Sequence, residues 1–256
     1  MTDLTAPRAT IGLPPTETVA AFERRGDLRI GVDWRETWQD EHPRMFTVAK
    51  IARLDLLNDV RESLDKVLRD GGTFEQWKAE LQPTLQRKGW WGRVENQALT
   101  GTPEPVIVND RRLRTIYRTN VRVSRAAGQW QRIQTRKAVR PYLRYVVVGG
   151  EKGDGRNRPS HLRLHGIILP VDHAFWDEYY PPNDWLCRCS VQQLSERDLE
   201  REGWTVTTDA ELAAKLPAER RTTYRLVNPT GTPGDSVPET VTQAPLVGDG
   251  WSYNPG

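Results

Sequence analysis

The sequence predicts an α+β protein: a helical N-terminal half, a long basic helix, and a small mixed α/β C-terminal half with a short sheet and an extended tail. Three observations carry this. Apolar residues recur at helical spacing from Leu57 to Leu85. An arginine-rich run without a single acid fills 111–140. The β-branched and aromatic run Tyr142-Leu143-Arg144-Tyr145-Val146-Val147-Val148 is closed by Gly149-Gly150. Nothing points to a large parallel sheet, and no internal repeat is visible.

In chain order, the first fifteen residues, rich in Thr, Pro and small side chains, predict a flexible segment. Thr16 to Arg25 reads as a short helix stopped by Gly26. His42-Pro43 is read as the start of the strongest helix of this half, with Leu57, Val60, Leu64, Val67 and Leu68 on one face and Gly71-Gly72 as its end. Thr73 caps the next helix, whose stripe Phe74, Trp77, Leu81 and Leu85 can pack on the previous one, with Pro83 expected to bend or shorten it. From Gly89 through Pro105 the pattern breaks into what reads as a long loop.

Asn109 or Asp110 can cap a helix that runs to about Lys137, before Pro141 forces an extended chain. The 142–148 strand follows, then an exposed loop, EKGDGRNRPS. Asp172 to Tyr180 reads as a short helix stopped by Pro181-Pro182, and Cys187 to Leu194 as a strand. Ser195 to Asp198 has the form of a capping box, and a third strand is expected at Trp204 to Val206. From Val227 the Pro, Gly and Thr content predicts an extended tail held only by its last tryptophan. The segments are therefore 1–15, 16–108, 109–226 and 227–256.

Composition bounds the function. At 256 residues and 37% apolar content the chain is long enough for one large or two small domains, and no run of eighteen apolar residues exists. The N-terminus lacks the basic patch and apolar stretch of a secretory signal, so synthesis in a cytoplasm and no membrane partner are expected. Two cysteines imply no disulfide framework.

Net charge is only +3, but nine arginines and one lysine lie between Arg111 and Arg140 with no acid, leaving the rest of the chain at −7. Arg111, Arg114, Arg118, Arg122 and Arg125 step by three or four residues along one helix face, and Arg132 and Arg136 continue it. Such a face suits phosphates of duplex DNA without sequence preference. It equally suits an acidic protein surface, or solvation and pairing within the chain. These readings stay open.

Residues 158–191 hold three of the four histidines, both cysteines and two of the ten tryptophans. His161 and His165 stand four apart, and Cys187 and Cys189 two apart, so each pair can share a face, and together they could form a two-Cys, two-His zinc site. The alternative is that no cofactor is bound and both thiols fill a small core as compact apolar groups. A hydrolase reading would make His161 a general base oriented by Asp172 or Glu178, with Arg158 or Arg163 facing an oxyanion. No phosphate loop, nucleophile elbow or His-Glu-x-x-His supports it. A structural reading has Trp176 and Trp185 filling the fold and Pro181, Pro182 and Asn183 setting a turn that presents Cys-Arg-Cys. Arg188 then faces outward or pairs with Asp184. The tryptophans at 34, 38, 90, 91 and 251 are expected to bury against other subunits.

The strings PSHxxxHG and LPxDHxFWDxxYPPNDWLCRCSV, together with YRTNVRVSRAAGQW and the closing GDGWSYNPG, resemble the phage Mu protein F-like family, the minor head or head-morphogenesis proteins of tailed phages. The resemblance runs over about residues 11–256. It implies a virion protein of a phage or prophage, made in the host cytoplasm and placed in the capsid interior. The partners it implies are the portal, the major capsid or a scaffold protein, and packaged double-stranded DNA. A nuclease-like or zinc-binding enzyme in the C-terminal half is the competing reading.

Overall fold

The computed structural model of the protein describes residues 15–153 and 155–256, so the segment expected to be flexible, apart from Pro15, lies outside the described residues. The chain is α+β, as its periodicities require. Helix α1 (Thr16–Glu23) leads through a two-residue strand β1 (Asp27–Leu28) and two single 3-10 turns to β2 (Met45–Phe46), which pairs in parallel with β1. The helix expected from His42 begins only at Leu54. Between them Phe46, Val48 and Ile51 are buried one by one along an extended stretch that also bridges Gly31, and helical pitch would not bury residues two apart.

Helix α2 (Leu54–Asp70) buries Leu57, Val60, Leu64, Val67 and Leu68 and ends on Gly71 at φ 74°, where a side chain would be strained. Thr73 caps α3 (Phe74–Arg87) in a full capping box with Gln76, and Phe74, Trp77, Leu81 and Leu85 turn inward. The helix passes through Pro83 unshortened, because the proline and Ala79, whose carbonyl it leaves free, both lie on the exposed side. The expected loop after Gly89 is instead an antiparallel pair, β3 (Gly92–Val94) with β4 (Val106–Val108), joined through a one-turn helix α4 (Gln97–Thr100). Alternate burial of Val106 and Val108 ties it to the helical core.

Helix α5 (Asp110–Arg136) is the spine of the molecule. Asn109 caps it, its side chain accepting from the Arg112 amide at 3.2 Å. Leu113, Ile116 and Val121 belong to the N-terminal core, while Ala126, Trp130 and Ile133 pack into the C-terminal one. Helix α1 crosses it closely at Gly128.

The second core is built on an antiparallel sheet of order β6-β5-β7: β5 (Tyr142–Val146) in the centre, β6 (Ile168–Pro170) and β7 (Ser190–Leu194) at the edges. The third strand of this sheet is Ile168–Pro170, whereas Trp204 to Val206, expected as a strand, is irregular. Short helices α6 (Pro159–Leu162) and α7 (Phe175–Tyr179) lie between the strands; α8 (Glu196–Glu202) and α9 (Asp209–Lys215) follow. The amide of Gln193 donates to the carbonyls of Ile133 and Arg140 at 3.0 and 2.9 Å, fastening β7 to the end of α5.

The boundary drawn at 226 and 227 falls inside β8 (Arg221–Val227), which pairs over its whole length with β9 (Val237–Gln243). Beyond this hairpin the tail is anchored at many points. Gln243 is fully buried and bonded to the backbone of Val247, Gly248 and Gly250, while Trp251 and Tyr253 pack with Val123 at the middle of α5. The tryptophans expected to seek other subunits largely fill this chain: Trp38, Trp90 and Trp251 are buried and Trp34 and Trp91 are half-buried. Among the described residues no helix is long and apolar enough to cross a membrane.

Candidate functional site

The arginines of α5 divide by environment. Arg111, Arg118, Arg125 and Arg136 are exposed, whereas Arg114, Arg122 and Arg132 are half-buried. The row is not uniformly free: Arg114 lies over the Phe74 ring at 4.1 Å and pairs with Glu75 at 3.1 Å, and Arg132 stands 3.5 Å from Glu17. These ion pairs engage two members of the predicted face; Arg112, outside it, is folded onto Trp90.

Arg118, Arg122, Arg125 and Arg132 line a cleft of about 780 Å³ between α5 and the loop before β7. Two further guanidinium groups reach it from the C-terminal half, Arg156 and Arg188. Among the described residues one carboxylate, Asp184, lies in the wall, and it is held by Arg158 at 2.8 Å. Arg122 is half-buried: burial pushes its guanidinium below the ordinary range, the two cysteines oppose the shift while Arg188 and Arg118 add to it, and its Nη1 has no hydrogen-bond partner among the described residues. A concave wall of this charge can take up a multiply anionic group by paired hydrogen bonds to its oxygens.

Behind Cys189, which also lines the cleft, lies a second feature. His161 on α6 directs Nδ1 at both sulfurs, 3.6 Å from Cys187 and 3.7 Å from Cys189, and all three residues are buried. Both thiols are free, and they sit in the turn before β7, not on the strand expected for them. Leu186, at φ 57°, reverses the chain just ahead of Cys187. A hydrogen bond from Cys189, with His161 as second partner, holds the Cys187 sulfur well below the usual thiol range, while the same bond and burial raise Cys189. Of the four residues predicted as metal ligands three come together. His165 is the exception. Its Nδ1 accepts from the Val147 amide at 3.1 Å and its other nitrogen lies 3.3 Å from Arg144, because β5 runs between it and the turn.

The structural residues of the motif are distributed around this turn. Trp176 is buried and donates to the Pro170 carbonyl at 2.9 Å. Pro181 and Pro182 are buried and joined by a cis peptide. Asn183 is fully buried and accepts from the Tyr145 hydroxyl at 2.7 Å, while its carbonyl accepts from Gly248 at 2.8 Å. Trp185 is edge-on to both Trp34 and Trp251. The hydrolase constellation is not assembled: Asp172 is bound by Lys137 and Glu178 by Arg220, and neither hydrogen-bonds His161 among the described residues. Sequence reasoning missed Arg156 and Tyr145. Arg156 sits in a Gly-rich loop with no periodicity to place it, although the proximity of Tyr145 to the turn was open to the inward parity of its strand.

The family model for phage Mu protein F like protein matches residues 58–192 of the chain, the part that contains α5, the six arginines of the cleft and the Cys-Arg-Cys turn. Capsid assembly protein F of Escherichia phage Mu is 37% identical over 248 residues, covering 95% of this chain and 54% of that protein. The Mu-like prophage FluMu F protein of Haemophilus influenzae is 32% identical over 239 residues, covering 90% of this chain and 53% of that protein. The chain thus spans about half the length of the curated relatives it matches. No solved structure matches it significantly.

Proposed function

Because the chain belongs to the phage Mu protein F-like family, we propose that it is a head-assembly protein of a tailed phage or prophage that docks, through its arginine cleft, onto an acidic surface of the portal or the inner capsid. The phage Mu relative is named for capsid assembly, and the reading taken here is non-enzymatic. The observation that carries the docking is the cleft itself. Six guanidinium groups from two halves of the fold line it, and Asp184, the carboxylate in its wall among the described residues, is held by Arg158. The buried nitrogen of Arg122, without a hydrogen-bond partner among the described residues, gains one when a carboxylate enters the cleft. The cleft is concave and partly enclosed, which suits a protruding acidic segment better than the convex rim of a duplex.

The exposed Arg111, Arg118, Arg125 and Arg136 favour a second reading, sequence-independent contact with packaged double-stranded DNA in the capsid interior. One experiment addresses both. Arg118, Arg122 and Arg125 are replaced together by Glu in the genome that encodes the chain, and particle yield and the protein's presence in purified heads are measured. Docking predicts loss of the protein from heads and a fall in yield. Normal incorporation and normal yield would refute it. Binding of the purified protein to random-sequence duplex DNA, with affinity falling steeply as salt rises, would instead support the second reading.

A further inference from the structure

We propose that His161, Cys187 and Cys189 bind a zinc ion, as three of its four ligands. The proposal does not rest on the head-assembly reading. The three ligand atoms lie within 4.8 Å of one another, and all three residues are buried. Bonds of about 2.3 Å to sulfur and about 2.0–2.1 Å to nitrogen, meeting at a tetrahedral angle, put nitrogen and sulfur about 3.5–3.6 Å apart. The two Nδ1 to sulfur distances are 3.6 and 3.7 Å.

Nδ1 carries either one proton or one lone pair, yet two sulfurs stand almost equally far from it, so it cannot hydrogen-bond well to both. A cation among the three serves all of them. The donors also choose the ion: two thiols and an imidazole with no oxygen ligand in the set disfavour magnesium and calcium and suit zinc.

Access and role follow from position. Of the three ligands Cys189 alone also lines the arginine cleft, so the ion and a water as fourth ligand reach the site from there. His161 comes from α6 and the cysteines from the turn before β7, so the ion would clamp that turn, and with it the wall carrying Arg188, to α6. The cleft wall is thereby set in place by an ion that lies behind it.

The test uses the full chain, untagged and purified without chelator from zinc-supplemented cells. Elemental analysis is expected to give about one zinc per chain. Replacement by cobalt should give a sulfur-to-cobalt charge-transfer band of two-thiolate intensity, reduced by half in Cys189→Ser and lost in Cys187→Ser/Cys189→Ser. Should those variants fail to fold, the unmodified protein decides. Removing the metal is expected to lower Tm and make two thiols reactive toward a disulfide reagent, and adding zinc back to reverse both. Metal content at background, a metal other than zinc, or Tm and thiol reactivity indifferent to zinc would overturn the proposal.

Discussion

Gly128→Ala sets two effects against each other at a point where the structure decides the sign. In the interior of a long helix, alanine is favoured over glycine by about 1 kcal/mol. At Gly128, however, a Cβ would stand 2.7 Å from the Thr18 nitrogen, 2.8 Å from its Oγ1 and 2.9 Å from the Glu17 carbonyl carbon. Ordinary carbon contacts need about 3.5 Å or more, so α1 must retreat by nearly an ångström. Two of the three atoms are backbone, and the Thr18 amide is tied to the Pro15 carbonyl at 2.8 Å, so no rotamer change relieves the clash. Overpacking of this kind costs about 1–3 kcal/mol. Set against the propensity gain, the expected net loss is about 1 kcal/mol, with an upper end near 2, and at about 2–4 °C per kcal/mol the fall in Tm is about 2–8 °C. Thermal and urea denaturation measure it, and limited proteolysis within α1 should quicken. A variant more stable than the parent by the full helix-propensity gain would show that the close crossing of α1 and α5 is not a packing constraint, and the reasoning would fail.

Two further perturbations test other parts of the same framework. Asn109→Ala removes the acceptor for the Arg112 amide at the start of α5 and should cost about 1 kcal/mol, largely restored by Asn109→Asp; an unchanged urea midpoint would contradict the cap. Burial, with Arg25 beside it, pushes His42 down to about 3, from an ordinary value of 6.5. The unfolded chain therefore takes up a proton as pH falls through about 6.5 while the folded chain does not until about 3, so this contribution to stability is full above 6.5 and fades across that window. His42→Phe, which keeps the stacking on Tyr253, should flatten that limb of the stability profile, and an identical slope in the variant would exclude His42 as its source.

What could be read beforehand was whatever has a period or a local cap. The stripe Leu57 to Leu68, the Thr73 box, the Asn109 cap and the alternation of Tyr142 to Val146 all record their structure within a few residues of chain. The stretch from His42 to Arg53 misled because its buried residues are spaced for extended chain and paired with β1, a partner fifteen or more residues away. The tail misled in the opposite direction. Its Pro and Gly content describes the turn between β8 and β9 but says nothing about Gln243 satisfying three backbone groups in the interior. In the candidate site, both cysteines and His161 were evident as residues, but separating His161 from His165 required knowing that one faces the turn and the other faces β5. Local pattern cannot carry that information, because it is set by where a distant strand lies.

One helix contributes side chains to both hydrophobic cores and also bears the central arginines. Neither half can therefore loosen while the other stays rigid without a break within α5 itself. Whatever grips those arginines takes hold of an axle rather than of one wheel, and its effect should register as slowed amide exchange in both halves at once, at residues far from any contact.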